Sequence, residues 1–146
     1  MATSGSNDAW DGGQGSPSVA PLPSILIVDD SHDSANTLCS LFGAHGHKTH
    51  VAYDGVAALE AAQAHLPDVI LLDLGLPEMD GVHVARFFRE DEQLKDKVLI
   101  AITGHADEMH RSQCEAVGFD YVFAKPAAWE ELKSAIDRLW SERKMP

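Results

Sequence analysis

Five side chains that can bind or compensate charge stand where apolar runs of this sequence end. They are three carboxylates, one hydroxyl and one amine: Asp29, Asp30, Asp73, Thr103 and Lys125. Two unit charges 4 Å apart interact by roughly 4 kcal/mol at an effective dielectric of about 20, so three neighbouring carboxylates require a compensating cation. One lysine offsets only part of that charge. If the fold gathers these groups, the sequence predicts a site for a hard divalent cation, and Mg²⁺ fits an exposed cluster of oxygen ligands.

The elements that must position these groups show two alternating patterns. Runs of branched apolar residues without polar alternation indicate strands that are buried on both faces, as in a parallel sheet. We predict strands at residues 25–28, 49–52, 68–73, 98–103 and 121–124. Apolar residues at helical spacing, with capping and stop signals, predict helices at residues 33–43, 55–64, 82–90, 107–117 and 128–143. This alternation implies an α/β fold: a doubly wound parallel sheet between helices, with right-handed crossovers.

All strands of a parallel sheet end at one edge, so residues far apart in sequence meet there. Four of the five predicted strands carry a polar group at that end. A single aspartate such as Asp29 is equally well explained as a helix cap or a turn residue. The fold does not require charged or polar groups at four separate strand ends, so the joint pattern favours a functional site. Gly75, two residues after Asp73, can turn its carbonyl oxygen toward a metal at this edge.

Four motifs in order resemble the receiver domain of two-component response regulators. They are Val28-Asp29-Asp30, Asp73 with Leu76-Pro77-Glu78-Met79-Asp80-Gly81, Ile102-Thr103-Gly104, and Lys125-Pro126. The resemblance covers about residues 24–143, and the segments Thr103-Gly104-His105 and Gly118-Phe119-Asp120 are most similar to receivers of hybrid histidine kinases. It implies a flavodoxin-like (βα)5 fold with the strand order 2-1-3-4-5.

The resemblance also implies a role for each site residue. Asp73 would accept a phosphoryl group from the histidine of a histidine kinase or a histidine phosphotransfer protein, while Lys125 and Thr103 would hold the phosphoryl oxygens. The implied Mg²⁺ ligands are Asp29, Asp30, Asp73 and the Gly75 carbonyl oxygen. Phosphoryl transfer depends mainly on in-line positioning and charge neutralisation, which such groups supply. The implied function is a phosphorylation-activated signalling switch that is not a metabolic enzyme and catalyses only its own phosphorylation and slow dephosphorylation.

Two positions bear on how such a switch would work. Receivers usually carry an aromatic residue three positions before the lysine, and here that position is Val122, between Tyr121 and Phe123. The aromatic part of the switch is therefore not expected in its usual form. Gly75 stands where the family tunes the attack of water on the acyl phosphate, and because glycine has no side chain to orient water, we expect slow dephosphorylation. The resemblance places the surface for a downstream protein on the fourth helix, fifth strand and fifth helix.

Composition and charge limit the other possibilities. Residues 1–23 are rich in Gly, Ser, Pro and Asp, which predicts a disordered tail or linker before a single domain at residues 24–146. A formal charge of −12 argues against direct binding to nucleic acid. Because the sequence shows neither a secretory segment nor an apolar run of bilayer length, we expect a reduced cytoplasmic protein with Cys39 and Cys114 as buried thiols.

Two other functions stay open at the level of sequence. One is an adaptor that binds its kinase without phosphorylation, which Val122 mildly favours and the intact Asp73, Thr103 and Lys125 disfavour. The other is a phosphatase of the haloacid dehalogenase type, which also uses an aspartate at a strand end. That family places a second aspartate two residues later, where this chain has Gly75.

Two packing details are also expected. Val56 is predicted to face inward from the second helix. His45, His47 and His50 are predicted to lie in a solvated loop, since a turn that leads into a strand offers no metal-ligand geometry.

Overall fold

Parallel strands and helices alternate along the chain in the computed structural model, which describes residues 22–75, 81–104 and 108–144. The strands are β1 (Ile25–Val28), β2 (Thr49–Ala52), β3 (Val69–Asp73), β4 (Val98–Thr103) and β5 (Tyr121–Ala124). The helices are α1 (His32–Ala44), α2 (Gly55–His65), α3 (Gly81–Glu90), α4 (Glu108–Val117) and α5 (Trp129–Lys144). Each element begins and ends within one residue of its predicted bounds.

The sheet has the strand order β2-β1-β3-β4-β5, and every neighbouring pair is parallel. This order confirms the flavodoxin-like doubly wound fold with the arrangement 2-1-3-4-5. The paired residues nearest the carboxyl edge are Val28 with Leu72, Asp73 with Ile102, and Thr103 with Ala124. The side chains that follow these strands therefore start from the same edge of the sheet.

Each face of the sheet carries its own apolar layer, because alternate strand residues point to opposite sides. Leu26 and Val28 of β1 pack in one core cluster with residues of α2, α3 and α4. Ile25 and Ile27 pack in the other cluster with residues of α1 and α5. All residues of β1 and β3 are buried. Burial on both faces is thus confirmed for β1 and β3, whereas the edge strands β2 and β5 are only partly buried.

Side-chain caps fix the starts of two helices beside the carboxyl edge. Ser31 Oγ accepts a hydrogen bond from the Ser34 N–H at 3.3 Å, and Asp54 Oδ1 accepts one from the Ala57 N–H at 2.7 Å. Such caps satisfy backbone donors that the first turn of a helix leaves unpaired. Because α1 and α2 follow β1 and β2 closely, the caps also hold the two loops between strand and helix.

Two burial predictions need correction. Val56 is 53 % exposed rather than inward-facing, because α2 approaches the sheet through the small residues Ala58 and Ala62, which are fully buried. The larger side chain at the flank of that contact is left in solvent. Of the two cysteines, Cys114 is buried and Cys39 only half-buried.

The segment before β1 buries one of the three neighbouring histidines. His47 is only 4 % exposed, and its Nδ1 lies 2.8 Å from the carbonyl oxygen of Pro23. The prediction of a solvated loop is therefore wrong for His47, because the chain that leads into β1 covers the turn between α1 and β2. His45 is exposed, whereas His50 is half-buried and stacks on His65 with ring centroids 3.6 Å apart.

An ionic cluster joins several elements at the opposite, amino edge of the sheet. The Asp120 carboxylate accepts hydrogen bonds from Arg89 at 3.0 Å, from Arg143 at 2.7 Å and from the Leu99 N–H at 2.9 Å. Arg89 also donates to the carbonyl oxygen of Gly118 and to two carbonyl oxygens of the loop before β4. This set, which we call the Asp120 cluster, holds together the ends of α3 and α5 and the turn between α4 and β5.

Some sequence predictions fall outside the described residues. They concern most of the tail predicted at residues 1–23, the loop motif at residues 76–80, and residues 105–107 at the predicted start of the fourth helix. Within the part of the chain that the structure describes, no helix has both the length and the apolar character needed to span a bilayer.

Candidate functional site

Three carboxylates lie together at the carboxyl edge of the sheet. Asp29 follows β1 and Asp73 ends β3, and these two strands are neighbours in the sheet. One oxygen from each of Asp29, Asp30 and Asp73 lies within 4.8 Å of the other two. The fold thus brings the three predicted acidic ligands into one cluster.

The loop between β1 and α1 holds Asp29 by both its backbone and its side chain. The Asp29 N–H donates to the carbonyl oxygen of Ala52 at 3.1 Å, which extends the pairing of β1 with β2 by one residue. The Asp29 Oδ1 accepts a hydrogen bond from the Ser31 N–H at 2.9 Å. Asp30 lies between these two fixed points and its side chain is exposed. The loop therefore presents one half-buried and one exposed carboxylate.

Asp73 is the most buried of the three and is only 4 % exposed. Its Oδ1 accepts a hydrogen bond from the Gly75 N–H at 2.9 Å, and its Oδ2 lies 2.9 Å from the Lys125 Nζ. Lys125 follows β5, so its side chain reaches past the end of β4, where Thr103 is also 4 % exposed. The Lys125 N–H donates to the carbonyl oxygen of Thr103 at 2.8 Å. A carboxylate, a hydroxyl and an ammonium thus occupy three adjacent strand ends.

The concentration of charge shifts two pKa values in the site. Burial, together with the charge and hydrogen bonding of Asp73, raises the pKa of Asp29 above its ordinary value, although the Ser31 N–H and Lys125 act in the opposite direction. Burial by itself lowers the pKa of Lys125, but the hydrogen bond and charge of Asp73, with the charges of Asp29 and Asp30, outweigh it and raise that pKa. Lys125 is therefore a cation at neutral pH, while ionisation of Asp29 is disfavoured by its surroundings.

The donor set of the cluster fits Mg²⁺. This ion takes oxygen ligands, keeps several of its waters, and is usually bound through one or two carboxylates. Here Asp73 is buried while Asp30 is exposed, so water can complete the coordination on the open side. A divalent cation would also relieve the carboxylate repulsion that contributes to the raised pKa of Asp29. Gly75 is exposed beside Asp73, and its carbonyl oxygen stays a predicted ligand.

We expect the raised pKa of Asp29 to appear as a pH dependence of stability in the metal-free protein. A carboxyl group whose folded pKa is raised stabilises the fold below its ordinary pKa of 3.8, and this contribution is lost as the pH rises through the folded value. In EDTA at neutral pH, Asp29→Asn should therefore have a larger free energy of unfolding than wild type. The difference should shrink as the pH is lowered through that pKa, and urea unfolding at a series of pH values measures it.

In excess Mg²⁺ at neutral pH, wild type should instead have a larger free energy of unfolding than Asp29→Asn, because only the wild-type chain retains its full set of ionised ligands. Asp137→Asn, which makes the same chemical change at an exposed position on α5, is a matched control that should show no reversal. Equal stabilities of wild type and Asp29→Asn in EDTA at neutral pH would contradict the expectation.

One residue beside the site was not found by reasoning from sequence. Tyr53, the residue after β2, stacks on His32 with ring centroids 3.7 Å apart, and its Oη donates to Asn36 Oδ1 at 2.9 Å. The only signal in the sequence was its position directly after a predicted strand, at the same edge as Asp29 and Asp73. Aromatic residues are common at such positions for packing alone, so that signal was weak.

The position three residues before Lys125, where receivers usually have an aromatic residue, holds a buried aliphatic side chain in this chain. Val122 is 4 % exposed and packs in the core cluster shared with α2, α3 and α4. Tyr121 and Phe123 point to the opposite face by strand alternation, so neither ring takes the place of Val122. Arg111 of α4 donates to the carbonyl oxygen of Val122 at 3.1 Å. The strand is thus joined to α4 at this position through its backbone.

Comparison with known proteins gives a consistent result. A family model described as the response regulator receiver domain matches residues 25–137 of the chain. The polar-differentiation response regulator DivK of Brucella ovis is 32 % identical over 103 residues, which make up 70 % of this chain and 84 % of that protein. The protein of the same name from Brucella anthropi is 31 % identical over 103 residues.

Solved structures show the same likeness. A CheY-like response regulator receiver domain protein from Methanospirillum hungatei JF-1 aligns with a TM-score of 0.79 at 22 % identity, over 84 % of this chain and 97 % of that one, which shows a shared fold. The signal receiver domain of a signal transduction histidine kinase from Syntrophus aciditrophicus aligns with a TM-score of 0.77 at 29 % identity, over 85 % of this chain and 94 % of that one.

Proposed function

Because this chain belongs to the response regulator receiver domain family, and so is a phosphoaccepting switch of two-component signalling, we propose that Asp73 accepts its phosphoryl group. The donor is a histidine kinase or a histidine phosphotransfer protein. The observation that supports Asp73 is the setting of its carboxylate at a central strand end. It is 4 % exposed, lies 2.9 Å from the Lys125 ammonium, and shares one cluster with Asp29 and Asp30.

The geometry supports a role for each neighbour of Asp73. A bond forms between an Asp73 oxygen and phosphorus as the bond from phosphorus to the donor's histidine nitrogen breaks, and the electron pair returns to that nitrogen. Asp29, Asp30, Asp73 and the Gly75 carbonyl oxygen would hold Mg²⁺, which would neutralise charge on the phosphoryl oxygens when bound. Lys125 already contacts Asp73 Oδ2, so its ammonium is in position to bind a transferred phosphoryl oxygen. The Thr103 hydroxyl, at the end of the strand between them, donates to another.

One experiment separates a phosphoaccepting receiver from the two alternative functions, an adaptor that is not phosphorylated and a phosphatase. Amide NMR spectra of the chain with Mg²⁺ are recorded before and after addition of beryllofluoride or acetyl phosphate. A receiver should respond to both compounds with shifts centred on Asp73, Thr103 and Lys125. An adaptor that is independent of phosphorylation should respond to neither, and a phosphatase should instead release phosphate continuously from small phosphate esters. The paired ammonium at Asp73 supports the first outcome.

The position of Gly75 supports a long-lived phosphorylated state. Receiver domains are signalling domains rather than metabolic enzymes, and we propose that this one catalyses only its own phosphorylation and a slow dephosphorylation. A Cβ atom at Gly75 would lie 3.6 Å from Asp73 Oδ1, so a side chain at this position would lie next to an acyl phosphate formed on Asp73. Because glycine leaves that space without a polar group, no side chain from residue 75 can orient an attacking water.

We expect Gly75→Asn to shorten the lifetime of the phosphorylated chain about tenfold, the effect of one hydrogen bond worth about 1.4 kcal/mol to the attacking water. The measurement is the rate of loss of the phosphoryl group in Mg²⁺ after removal of the donor. Gly43→Asn is the control, since a Cβ atom at that exposed position of α1 meets nothing within 4 Å. Equal lifetimes for wild type and Gly75→Asn would refute the role of residue 75, and a wild-type lifetime of seconds would refute slow dephosphorylation.

Two surfaces support the proposed partners. A cleft of about 660 Å³ opens beside the carboxylates, between α1 and the loop after β5, with Asp30, Leu38 and Pro126 among its lining residues. A mixed acidic and apolar cleft next to Asp73 suits the approach of a helical domain that carries the phosphohistidine. For the downstream protein we propose the face formed by α4, β5 and α5, where Tyr121 is 40 % exposed and Arg111 joins α4 to β5.

The domain boundary and the location of the protein complete the proposal. We propose that residues 1–23 form a disordered tail or linker and that residues 24–146 form the receiver. A cytoplasmic location is supported by the signalling partners of the family. Within the family, we propose that this chain is most similar to the receivers of hybrid histidine kinases.

A further inference from the structure

An aromatic pair stands beside the acidic cluster and has no part in the phosphoryl chemistry described above. His32 is the first residue of α1, and Tyr53 is the first residue after β2. Their rings are stacked with an interplanar angle of 17° and centroids 3.7 Å apart. His32 is exposed, whereas Tyr53 is half-buried and packs against the apolar cluster shared with α1 and α5, so the stack lies where that cluster meets the surface.

Tyr53 joins two elements on either side of the loop that carries Asp29 and Asp30. Its backbone continues from β2, whose last residue accepts the hydrogen bond from the Asp29 N–H at 3.1 Å. Its ring covers His32, and its Oη donates at 2.9 Å to Asn36, one turn further along α1. The loop between β1 and α1 is therefore attached at its start to the sheet and at its end to a helix whose first turns contact Tyr53.

This arrangement matters most for Asp30. The Asp30 side chain is exposed, so its position depends on the backbone on either side. On one side is the Asp29 contact with β2, and on the other is Ser31, which caps α1 and donates its N–H to Asp29 Oδ1. A loop that is already ordered loses less conformational entropy when a metal binds, and this raises affinity without any new contact to the metal.

We propose that Tyr53 is a positioning residue for the metal site: it holds the first turns of α1 against β2 and so fixes the loop that presents Asp29 and Asp30. This inference rests on the proposed function, because the metal site is part of it. In this role Tyr53 acts through the loop backbone and is not itself a metal ligand. Partners that orient ligands in this indirect way change metal affinity by about 10- to 100-fold in other metal sites.

The test is a titration of the full chain with Mg²⁺ alone, followed by amide NMR at fixed pH and at a temperature where every variant is folded. Tyr53→Leu should weaken Mg²⁺ binding about tenfold, the lower end of that range because the metal is partly solvated. Tyr53→Phe keeps the stack on His32 and loses only the bond to Asn36, so its affinity should lie between those of wild type and Tyr53→Leu. Phe87→Leu, an exposed aromatic residue of α3, is the matched control and should bind as wild type does.

A second readout distinguishes positioning from general stability. In EDTA, hydrogen exchange of the Ser31 amide should be faster in Tyr53→Leu than in wild type, because that amide reports the order of the loop. A purely structural role would lower the melting temperature and leave both the Mg²⁺ affinity and the local exchange unchanged, which would overturn the inference. If Tyr53→Leu does not fold, Asn36→Ala replaces it, because this variant removes the acceptor of the Tyr53 hydroxyl. Asn36→Ala should bind Mg²⁺ with the same intermediate affinity as Tyr53→Phe. Wild-type affinity in both Asn36→Ala and Tyr53→Phe would overturn the inference. Absence of any Mg²⁺ response in wild type would refute the proposed metal site itself, which keeps the two failures distinguishable.

Discussion

Asp73→Asn is expected to abolish phosphorylation of the chain, so that no phosphoryl group is incorporated from acetyl phosphate or from a phosphorylated donor. An amide is neutral and lacks the nucleophilic oxygen of a carboxylate, so no acyl phosphate can form at residue 73. The asparagine oxygen can still accept the Gly75 N–H, but its NH₂ group cannot accept from the Lys125 ammonium. The variant should therefore keep the fold and lose the ion pair together with the chemistry.

Mass spectrometry of the intact chain and of its peptides measures the incorporation and its position. Asp137→Asn makes the same change at an exposed position on α5 and should be phosphorylated at the wild-type rate. Because Asp29 and Asp30 lie in the same cluster, they are the alternative acceptors. Phosphoryl incorporation into Asp73→Asn at either of them would show that the assignment to Asp73 is wrong.

Lys125→Met should slow phosphorylation about a hundredfold while Mg²⁺ binding is retained or becomes tighter. A preorganised cation that meets developing charge typically contributes 10²- to 10³-fold, and we expect about the lower value because the Lys125 side chain is 42 % exposed. The same substitution removes the only ammonium that the site contains among the described residues, so the carboxylate cluster becomes more negative and attracts a divalent cation more strongly. The two effects have opposite signs, which makes this variant informative.

Single-turnover phosphorylation and a Mg²⁺ titration on the same sample measure both quantities. Lys133→Met is the matched control, because Lys133 pairs with Asp137 on α5 at 2.8 Å and lies outside the site. Parallel loss of phosphorylation and of Mg²⁺ binding in Lys125→Met would mean that the lysine supports the site as a whole. The proposed role at the phosphoryl oxygens would then be rejected.

Local sequence patterns were sufficient for the elements of this fold and for the meeting of its strand ends. Runs such as Ile25–Val28 and Val69–Asp73 have no polar alternation, and a strand with this pattern has to be buried on both faces. Once the sheet is parallel, Asp29 and Asp73 must lie at the same edge. The strand order itself came from the resemblance to a known family, because periodicity does not determine which strands are neighbours.

The predictions that failed depend on contacts between residues far apart in sequence. The segment that covers His47 includes Pro23, 24 residues earlier, whose carbonyl oxygen accepts a hydrogen bond from the His47 Nδ1–H, and no local pattern carries that information. Val56 is exposed because α2 lies close to the sheet, and the small side chains of Ala58 and Ala62 occupy the interface instead. Tyr53 was overlooked for a similar reason, since it stacks on a residue of α1 that is distant in sequence.

The Asp120 cluster anchors the carboxyl end of α4, while Arg111 near the start of the helix contacts the backbone of β5. Gly118 follows the last residue of α4, and Arg89 binds its carbonyl oxygen, so the carboxyl end of the helix is tethered to α3. The helix has 10 residues and is about 15 Å long, so a rotation of about 10° around the tethered end would move its other end by about 2.6 Å. That other end is the one that follows Thr103 in the chain. If phosphorylation rotates α4, the Arg89 tether would serve as its pivot, and the helix start would be displaced further than any residue near Gly118.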